Sequence, residues 1–172
     1  YNQPEKTAEV IDELGWFHTG DIGEMVDGEF LKITDRKKEI FKTSGGKYIA
    51  PQVLENKMKE SRFIEQVVVI GENRKFPSAL IVPNFAFLKS WCEEKGVEFT
   101  TNQAAIENEK VKDRIWEEVE NLNQSFGQWE KIKRMELLPQ EMSIDGGELT
   151  PTLKLRRKVI KEKYATQIEH IY

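Results

Sequence analysis

The sequence predicts an α+β fold, because its strands and helices intermix without a regular strand–helix–strand repeat. Two short apolar runs rich in β-branched residues, 66–71 and 79–82, predict a pair of buried strands. Amphipathic stretches on both sides of these runs predict helices that cover the strands. We therefore expect a mixed or antiparallel sheet of about three strands, flanked by helices and preceded by a hairpin.

The beginning of the chain predicts a surface helix and then this hairpin. Apolar residues fall near helical spacing over residues 7–14, where the helix is expected. Asp27 and Gly28 separate two strand-like runs, 24–26 and 30–33, and this dipeptide readily supplies the positive φ angles of a tight turn. The turn therefore sets the register of the hairpin.

The remaining elements follow from apolar spacing and from residues that begin helices. Pro51 and Asn84 each suit a helix start. Amphipathic spacing predicts a long helix with a charged outer face and a basic helix at the end of the sequence. The predicted helices cover residues 52–61, 85–95, 101–126 and 155–171, and a third strand covers 132–138.

Composition favours one folded domain without a general attraction to polyanions. The 172 residues suffice for one main core, and a net charge of -4 argues against a nucleic-acid partner. The single cysteine, Cys92, cannot form an internal disulfide and is expected on a helix as a small apolar residue. No group of histidines and cysteines has the spacing of a zinc site, so we expect no metal ligands and a reducing compartment. No apolar run approaches the roughly 20 residues that span a bilayer, and we expect a cytoplasmic location.

Three segments carry residues suited to a site, and the first ends at Asp21. A carboxylate at a loop edge accepts paired hydrogen bonds, for which ribose hydroxyls are natural donors. The sequence Thr-Gly-Asp over residues 19–21 is also a common turn, so local chemistry leaves a structural role open.

The other two segments cover residues 42–47 and 149–157. In the first, Gly45 and Gly46 allow close backbone approach to an anion or a thioester arm, although an ordinary loop fits equally well. In the second, a proline-stiffened loop delivers Lys154, and a lysine held in this way stabilises developing negative charge. The alternative for this segment is a solvated basic face that serves solubility or membrane contact.

Together and in this order, the three segments resemble the closing motifs of adenylate-forming enzymes, which include acyl-CoA synthetases, the adenylation domains of peptide synthetases and firefly-type luciferases. The resemblance begins at the first residues, Tyr-x-x-Pro-Glu-x-Thr, and covers essentially the whole chain. Segments 35–47 and 149–154 are most similar to bacterial long-chain fatty acid–CoA ligases. Lys38 stands where many relatives carry aspartate and Leu153 where many carry glycine, and both variants are compatible with long-chain enzymes.

The resemblance implies a role for each candidate residue. Asp21 matches the aspartate that holds the ATP ribose, and Arg36 matches the hinge-motif arginine that also reaches the nucleotide. Lys154 matches the catalytic lysine that contacts the carboxylate and the α-phosphate during adenylation. Lys38 falls on the hinge position. The loop that lines the pantetheine channel matches Ser44, Gly45 and Gly46.

The resemblance also implies a division into domains. Residues 1–36 are expected to end the large N-terminal adenylation domain, and residues 37–172 are expected to form a mobile C-terminal lid, with the hinge around residues 36–38. The family's phosphate loop, acyl pocket and magnesium-binding glutamate have no counterpart in this sequence. We therefore expect ATP and Mg²⁺ to be bound mainly by the N-terminal region, and the chain alone to be inactive.

The implied parent is an AMP-forming ligase that makes acyl-adenylate from a fatty acid and ATP, and then acyl-CoA and AMP with coenzyme A as co-substrate. One open alternative is an adenylation module that transfers its product to a carrier protein. Another is a noncatalytic module that docks on a membrane or a partner through the basic helix after Lys154. For the location of the protein, a peripheral position at the inner face of the membrane is a further expectation.

Overall fold

The computed structural model describes residues 2–172, so Tyr1, part of the resemblance above, lies outside the described residues. The chain begins with helix α1 (Pro4–Val10), three residues earlier than the predicted start. Proline already has the φ angle of a first helical turn and lacks only an N–H that would be unpaired there. Ile11 is extended and bridges to Phe17, which ends the helix before the predicted boundary.

The predicted hairpin is present. Its strands are β1 (Asp21–Val26) and β2 (Phe30–Arg36), which pair antiparallel. Asp27 and Gly28 have φ angles of 53° and 72°, as a tight turn of this kind requires. A bulge between Ile22 and Gly23 shifts the register, so that the last pair joins the first residue of β1 to the last residue of β2.

A short second hairpin and a helix follow the turn after β2. The elements are β3 (Phe41–Lys42), β4 (Tyr48–Ile49) and helix α2 (Pro51–Met58). Pro51 begins α2, as the sequence predicts, and the helix ends three residues before its predicted end. Leu54 and Met58 face the core from this helix.

The two apolar runs form buried, paired strands, as predicted. They are β5 (Ile64–Ile70) and β6 (Ser78–Pro83), which pair antiparallel. Helix α3 (Phe85–Lys95) comes next, and the side chain of Asn84 accepts a hydrogen bond from the Phe87 N–H at 3.0 Å. This cap confirms the role that the sequence gives to Asn84.

The single long helix predicted over residues 101–126 is wrong. Two helices, α4 (Asn102–Glu107) and α5 (Glu109–Asn123), lie there instead. Asn108 separates them with an extended backbone, and its side chain caps α5 by accepting a hydrogen bond from the Lys110 N–H at 3.0 Å. Asparagine competes for backbone donors more strongly than it continues a helix, which accounts for the break.

Strand β7 (Met135–Leu137) completes a three-stranded sheet in the order β5-β6-β7. The β5–β6 pair is antiparallel and the β6–β7 pair is parallel, so the sheet is mixed, in agreement with the predicted fold class. The chain ends in two short helices, α6 (Arg157–Lys163) and α7 (Ala165–Ile171), where one helix was predicted. Tyr164 stands between them with φ −106° and ψ 26°, and its hydroxyl donates to the buried Glu148 at 3.2 Å.

The sheet carries a hydrophobic cluster on each face. Val67, Val69 and Ile81 pack on one side with apolar residues of α2, α3 and α5, including Cys92 as expected. Val68 and Leu80 pack on the other side with residues of α6 and α7. Alternate residues of a strand point to opposite faces of the sheet, and both faces are covered here. Both strands are therefore continuous apolar runs in the sequence.

Candidate functional site

A cleft of about 430 Å³ opens where the first hairpin, α2 and the loop before α6 meet. Asp21, Arg36 and Lys154, which the sequence predicts as site residues, all line this cleft. The structure therefore brings together residues that are more than a hundred positions apart in the chain. The other lining residues are Ile33, Asp35, Glu39, Gln52, Glu55, Asn56, Lys59, Leu153, Leu155 and Arg157.

Asp21 and Arg36 form an ion pair at the open end of the hairpin. They are partners in the strand register, and Arg36 Nε donates to Asp21 Oδ1 at 3.0 Å. Within residues 2–172, the second carboxylate oxygen of Asp21 and both Nη atoms of Arg36 make no side-chain hydrogen bond. This pair thus keeps acceptors and donors available for a ligand, and a guanidinium suits phosphate or ribose oxygens.

Lys154 is delivered by a tight loop that forms its own hydrogen bonds. The Thr150 N–H donates to the Lys154 carbonyl at 2.8 Å, and the Lys154 N–H donates to Thr150 Oγ1 at 3.0 Å. Leu153 has a φ angle of 59°, a left-handed conformation that glycine adopts most easily. The ε-ammonium of Lys154 is exposed and has no ion pair in the described part of the chain, so it is free to meet a negative charge in the cleft.

A buried polar network lies under the cleft, and the sequence reasoning missed it. Asp35 is 1% exposed, and its carboxylate accepts hydrogen bonds from the backbone N–H groups of Arg36 at 2.6 Å and Gln52 at 3.1 Å. Burial raises the pKa of Asp35 above its ordinary value, although these two donors act against burial. The Gln52 side chain donates to Glu39 Oε2 at 3.0 Å. Asp35 therefore ties β2 to the first turn of α2, whose own cap residue, Ala50, has no side chain that could do so.

Arg157 is the centre of this network. Its two Nη atoms donate to the two carboxylate oxygens of Glu55 at 2.7 and 2.8 Å, and its Nε donates to Glu39 Oε2 at 3.0 Å. Burial alone would lower the pKa of Arg157, but the hydrogen bonds and charges of Glu55 and Glu39 outweigh it and raise the pKa. Burial likewise acts to raise the pKa of Glu39, yet the bonds from Gln52 and Arg157 hold it below its ordinary value. Both Arg157 and Glu39 are therefore charged at neutral pH.

A sequence signal for Glu55 exists. Glu55 follows Leu54 and precedes Met58 on α2, and residues at this spacing share the inner face of a helix. A carboxylate on an inner face needs a cationic partner, which could have drawn attention to the arginines after Lys154. Arg157 itself gave no such signal, because it stands in a run of basic residues.

The other predicted site residues lie apart from the cleft. Lys38 is exposed in the turn after β2, between the cleft residues Arg36 and Glu39. The loop of Ser44, Gly45 and Gly46 joins β3 to β4, is exposed, and does not line the cleft. Gly46 has a φ angle of 81° and donates its N–H to the Thr43 carbonyl at 2.9 Å, so the chain needs a glycine there for the turn itself.

Most of the basic residues after Lys154 have partners. Arg156 donates to the Gly147 carbonyl at 3.2 Å, and Lys161 pairs with Glu72 at 2.5 Å. Lys163 pairs with Glu148, which is 1% exposed. With Arg157, four of the five basic residues in this run have partners elsewhere in the domain, so the run is not an unpaired cationic face.

The described residues offer no evident place for a metal ion. Among residues 2–172, no group of three or more histidine, cysteine, aspartate or glutamate side chains is arranged to hold one. The carboxylates of Asp35, Glu39 and Glu55 near the cleft are already occupied by N–H donors of the protein.

None of the helices within residues 2–172 combines the length and apolar character needed to cross a membrane.

Comparisons with known proteins identify relatives of this chain and solved structures with a similar fold. The human long-chain-fatty-acid–CoA ligase 1 is 41% identical over 98% of this chain, and long-chain-fatty-acid–CoA ligase FadD15 of Mycobacterium tuberculosis is 37% identical over 100%. The A-PCP didomain of a carboxylic acid reductase from Segniliparus rugosus, solved with AMP, superimposes with a TM-score of 0.74 at 26% identity over 99% of this chain.

The chain spans only 24% and 29% of the lengths of the two ligases, and 22% of the solved didomain. The family profile described as "AMP-binding enzyme C-terminal domain" matches residues 38–172, which is most of the chain. The resemblance drawn from the three motifs is thereby confirmed. The chain belongs to the family of C-terminal domains of AMP-binding enzymes.

Proposed function

We propose that this chain is the closing part of an AMP-forming acyl-CoA synthetase that acts on long-chain fatty acids. Residues 1–36 end the large N-terminal domain, residues 37–172 form the mobile lid, and the lid turns about residues 36–38. The observation that carries the proposal is the cleft shared by Asp21, Arg36 and Lys154. The names of the two ligases, at 41% and 37% identity, support the substrate class.

In the first half-reaction, a fatty carboxylate attacks the α-phosphate of ATP, giving acyl-adenylate and pyrophosphate. Asp21 accepts hydrogen bonds from the ribose hydroxyls, and the free Nη atoms of Arg36 donate to the nucleotide. The ammonium of Lys154 opposes the negative charge that grows on the α-phosphate and the attacking carboxylate. This assignment is supported by the polar atoms that all three side chains leave unpaired toward the cleft. No magnesium ligand is assigned to this chain, because the carboxylates of Asp35, Glu39 and Glu55 already accept N–H donors of the protein, and no group of three or more possible ligands within residues 2–172 is arranged to hold a metal ion.

In the second half-reaction, the thiolate of coenzyme A attacks the acyl carbonyl and displaces AMP. Rotation about Lys38 withdraws Lys154 and brings the loop of Ser44, Gly45 and Gly46 toward the adenylate. The position of this loop supports a rotation, because it is exposed and does not line the cleft that holds Lys154.

The hairpin supplies a surface for the rest of a longer protein. Met25, Leu31 and Ile33 share one face and are 60%, 66% and 58% exposed, which is unusual for apolar strand residues. An isolated two-stranded hairpin is also only marginally stable in water. We assign this face to the N-terminal domain, which contains the acyl pocket and most of the ATP site, so the chain alone does not catalyse either step. Relatives that are about four times longer support this assignment.

The decisive experiment compares wild-type and Lys154→Ala full-length protein in the two half-reactions. Pyrophosphate release with palmitate, ATP and magnesium should fall roughly 100- to 1000-fold, the loss expected for one strong electrostatic contact to a transition state. Thioester formation from preformed palmitoyl-adenylate should be unchanged. Lys158→Ala is the matched control, since Lys158 is an exposed lysine four residues further on. Equal losses in both half-reactions, or none in the first, would refute the assignment.

A second candidate is an adenylation module that transfers its product to a carrier protein. The solved A-PCP didomain favours it, because PCP denotes a peptidyl carrier protein and the superposition covers 99% of this chain. Supplying a pantetheinylated carrier protein in place of coenzyme A separates the two. Acyl transfer only to the carrier would replace the CoA-ligase proposal, and transfer only to coenzyme A would exclude the carrier.

A further inference from the structure

We propose that Arg157 is a positioning residue for Lys154, and that Glu39 fixes Arg157 in the orientation this task needs. The inference rests on the proposed function, since it requires Lys154 to act in adenylation. Arg157 does not touch the reacting atoms in this scheme. It acts by holding the loop that carries Lys154.

The base of the loop is attached to the domain, because Leu149 and Leu155 pack against the hydrophobic cluster under α6 and α7, but the hydrogen bonds around Lys154 itself are internal. The contacts between Thr150 and Lys154 define the shape of the loop without attaching it to the rest of the domain. Its base is closed by the Leu149–Leu155 bridge and by the Arg156 N–H, which donates to the Glu148 carbonyl at 2.7 Å. Beyond this base, the first side chain that reaches another part of the fold to form ion pairs is Arg157, at the start of α6.

Glu55 gives Arg157 a rigid anchor. Glu55 lies on α2 and is 4% exposed, and its Oε1 also accepts the Val69 N–H of the central sheet at 2.8 Å. The two bonds from the Nη atoms of Arg157 form a planar, bidentate contact, which fixes the direction of the guanidinium as well as its position. The start of α6, three residues after Lys154, is thereby tied to the sheet through α2.

Glu39 supplies the remaining contact. It lies in the turn after β2, next to the predicted hinge residue Lys38, and its Oε2 accepts from both Arg157 Nε and Gln52 Nε2 at 3.0 Å. The Glu39 side chain is 30% exposed, against 5% for Glu55, so it lies at the cleft edge of the network. Removing Glu39 frees one edge of the guanidinium while the buried pair with Glu55 remains.

The test uses full-length Glu39→Ala and Arg157→Lys proteins, because Arg157→Ala could simply unfold. Both variants should slow pyrophosphate release about 10- to 100-fold, the cost of a reactive group displaced by about 1 Å, with little change in the KM for ATP. Thioester formation from preformed palmitoyl-adenylate should be unaffected, because Lys154 is withdrawn in that step. Glu72→Ala is the control. It removes the exposed partner of Lys161, and Lys161 lies on α6 together with Arg157.

A double variant separates positioning from general stability. If Glu39 acts only through Lys154, then Glu39→Ala should cause no further loss in a Lys154→Ala background. Additive losses, equal losses in both half-reactions, or full activity of Glu39→Ala would overturn the positioning role. Unchanged adenylation in Lys154→Ala itself would instead overturn the proposed function, so the two failures are distinguishable.

Discussion

Replacing Arg157 by methionine leaves the Glu55 carboxylate buried without a counter-charge. Methionine keeps much of the apolar stem but removes three hydrogen bonds, two of them to Glu55. Breaking a buried pair from one side costs roughly 3–5 kcal/mol, because the remaining charge stays desolvated. A domain of this size has a total stability of about 5–15 kcal/mol, so the variant should lose a large part of its free energy of unfolding at neutral pH.

The pH dependence of this loss identifies its cause. Burial already raises the pKa of Glu55 above the ordinary value of 4.5, with Arg157 opposing the shift, and removing Arg157 raises it further. A folded-state pKa above the unfolded one means that the folded variant binds more protons, so its stability rises as the pH falls through the folded pKa. The destabilisation should therefore be largest at pH 7 and shrink toward pH 4.5, as urea unfolding followed by circular dichroism can measure.

A second substitution controls for lost packing. The Arg157→Met/Glu55→Gln protein should recover most of the lost stability, because no buried charge remains and the glutamine oxygen can still accept the Val69 N–H. Glu72→Gln removes an exposed partner of Lys161 and should cost no more than about 1 kcal/mol. An Arg157→Met cost as small as that of Glu72→Gln, or one that does not depend on pH, would refute the reasoning.

Substitutions at Leu153, Glu148 and Gly45 each test one feature of the structure. Leu153→Gly should be more stable than Leu153→Ala by roughly 0.5–1 kcal/mol in urea unfolding, because φ is 59° there; equal stability would argue against the left-handed conformation. Burial acts to raise the pKa of Glu148, but bonds from Lys163 and the backbone lower it below 4.5, so stability should fall as the pH drops below about 4.5. Glu148→Gln should make the free energy of unfolding less dependent on pH below about 4.5. An unchanged pH dependence in this variant would contradict the role given to Glu148. Gly45→Trp in the full-length protein should slow thioester formation and spare adenylation. Gly45 is a better position for this test than Gly46, because a Cβ added at Gly45 meets only Thr43 Oγ1, at 4.0 Å, and the backbone at Gly45 does not have a positive φ angle. Normal thioester formation would remove the loop from the channel.

The elements that the sequence predicts well are those set by local chemistry. The turn at Asp27 and Gly28 and the cap at Asn84 each depend on neighbours within a few residues. The strands β5 and β6 are equally clear, because a sheet covered on both faces produces continuous β-branched runs. Candidate site residues could be named only through the ordered motifs, since no single segment distinguishes a site from a turn.

Other features depend on contacts between distant segments. Apolar spacing continues across Asn108 and Tyr164, so periodicity alone predicts one helix where a side-chain cap or a buried partner produces two. The pairing of Arg157 with Glu55 joins residues 102 positions apart. Among neighbouring basic residues in the sequence, nothing distinguishes the half-buried, paired Arg157 from the exposed Lys158.

The arrangement of paired and unpaired polar groups separates the site from its support. Beneath the cleft, Glu55 and Arg157 are desolvated, and each charged atom of their contact has a partner, which such burial requires. At the mouth of the cleft, Lys154 and the Nη atoms of Arg36 have no such partner within residues 2–172 and meet solvent. Groups left unpaired in this way are available to a ligand at little desolvation cost, whereas satisfied buried groups hold their neighbours in one geometry. The paired residues beneath the cleft therefore act as a rigid support, and the unpaired charges at its mouth are the groups that can bind a ligand.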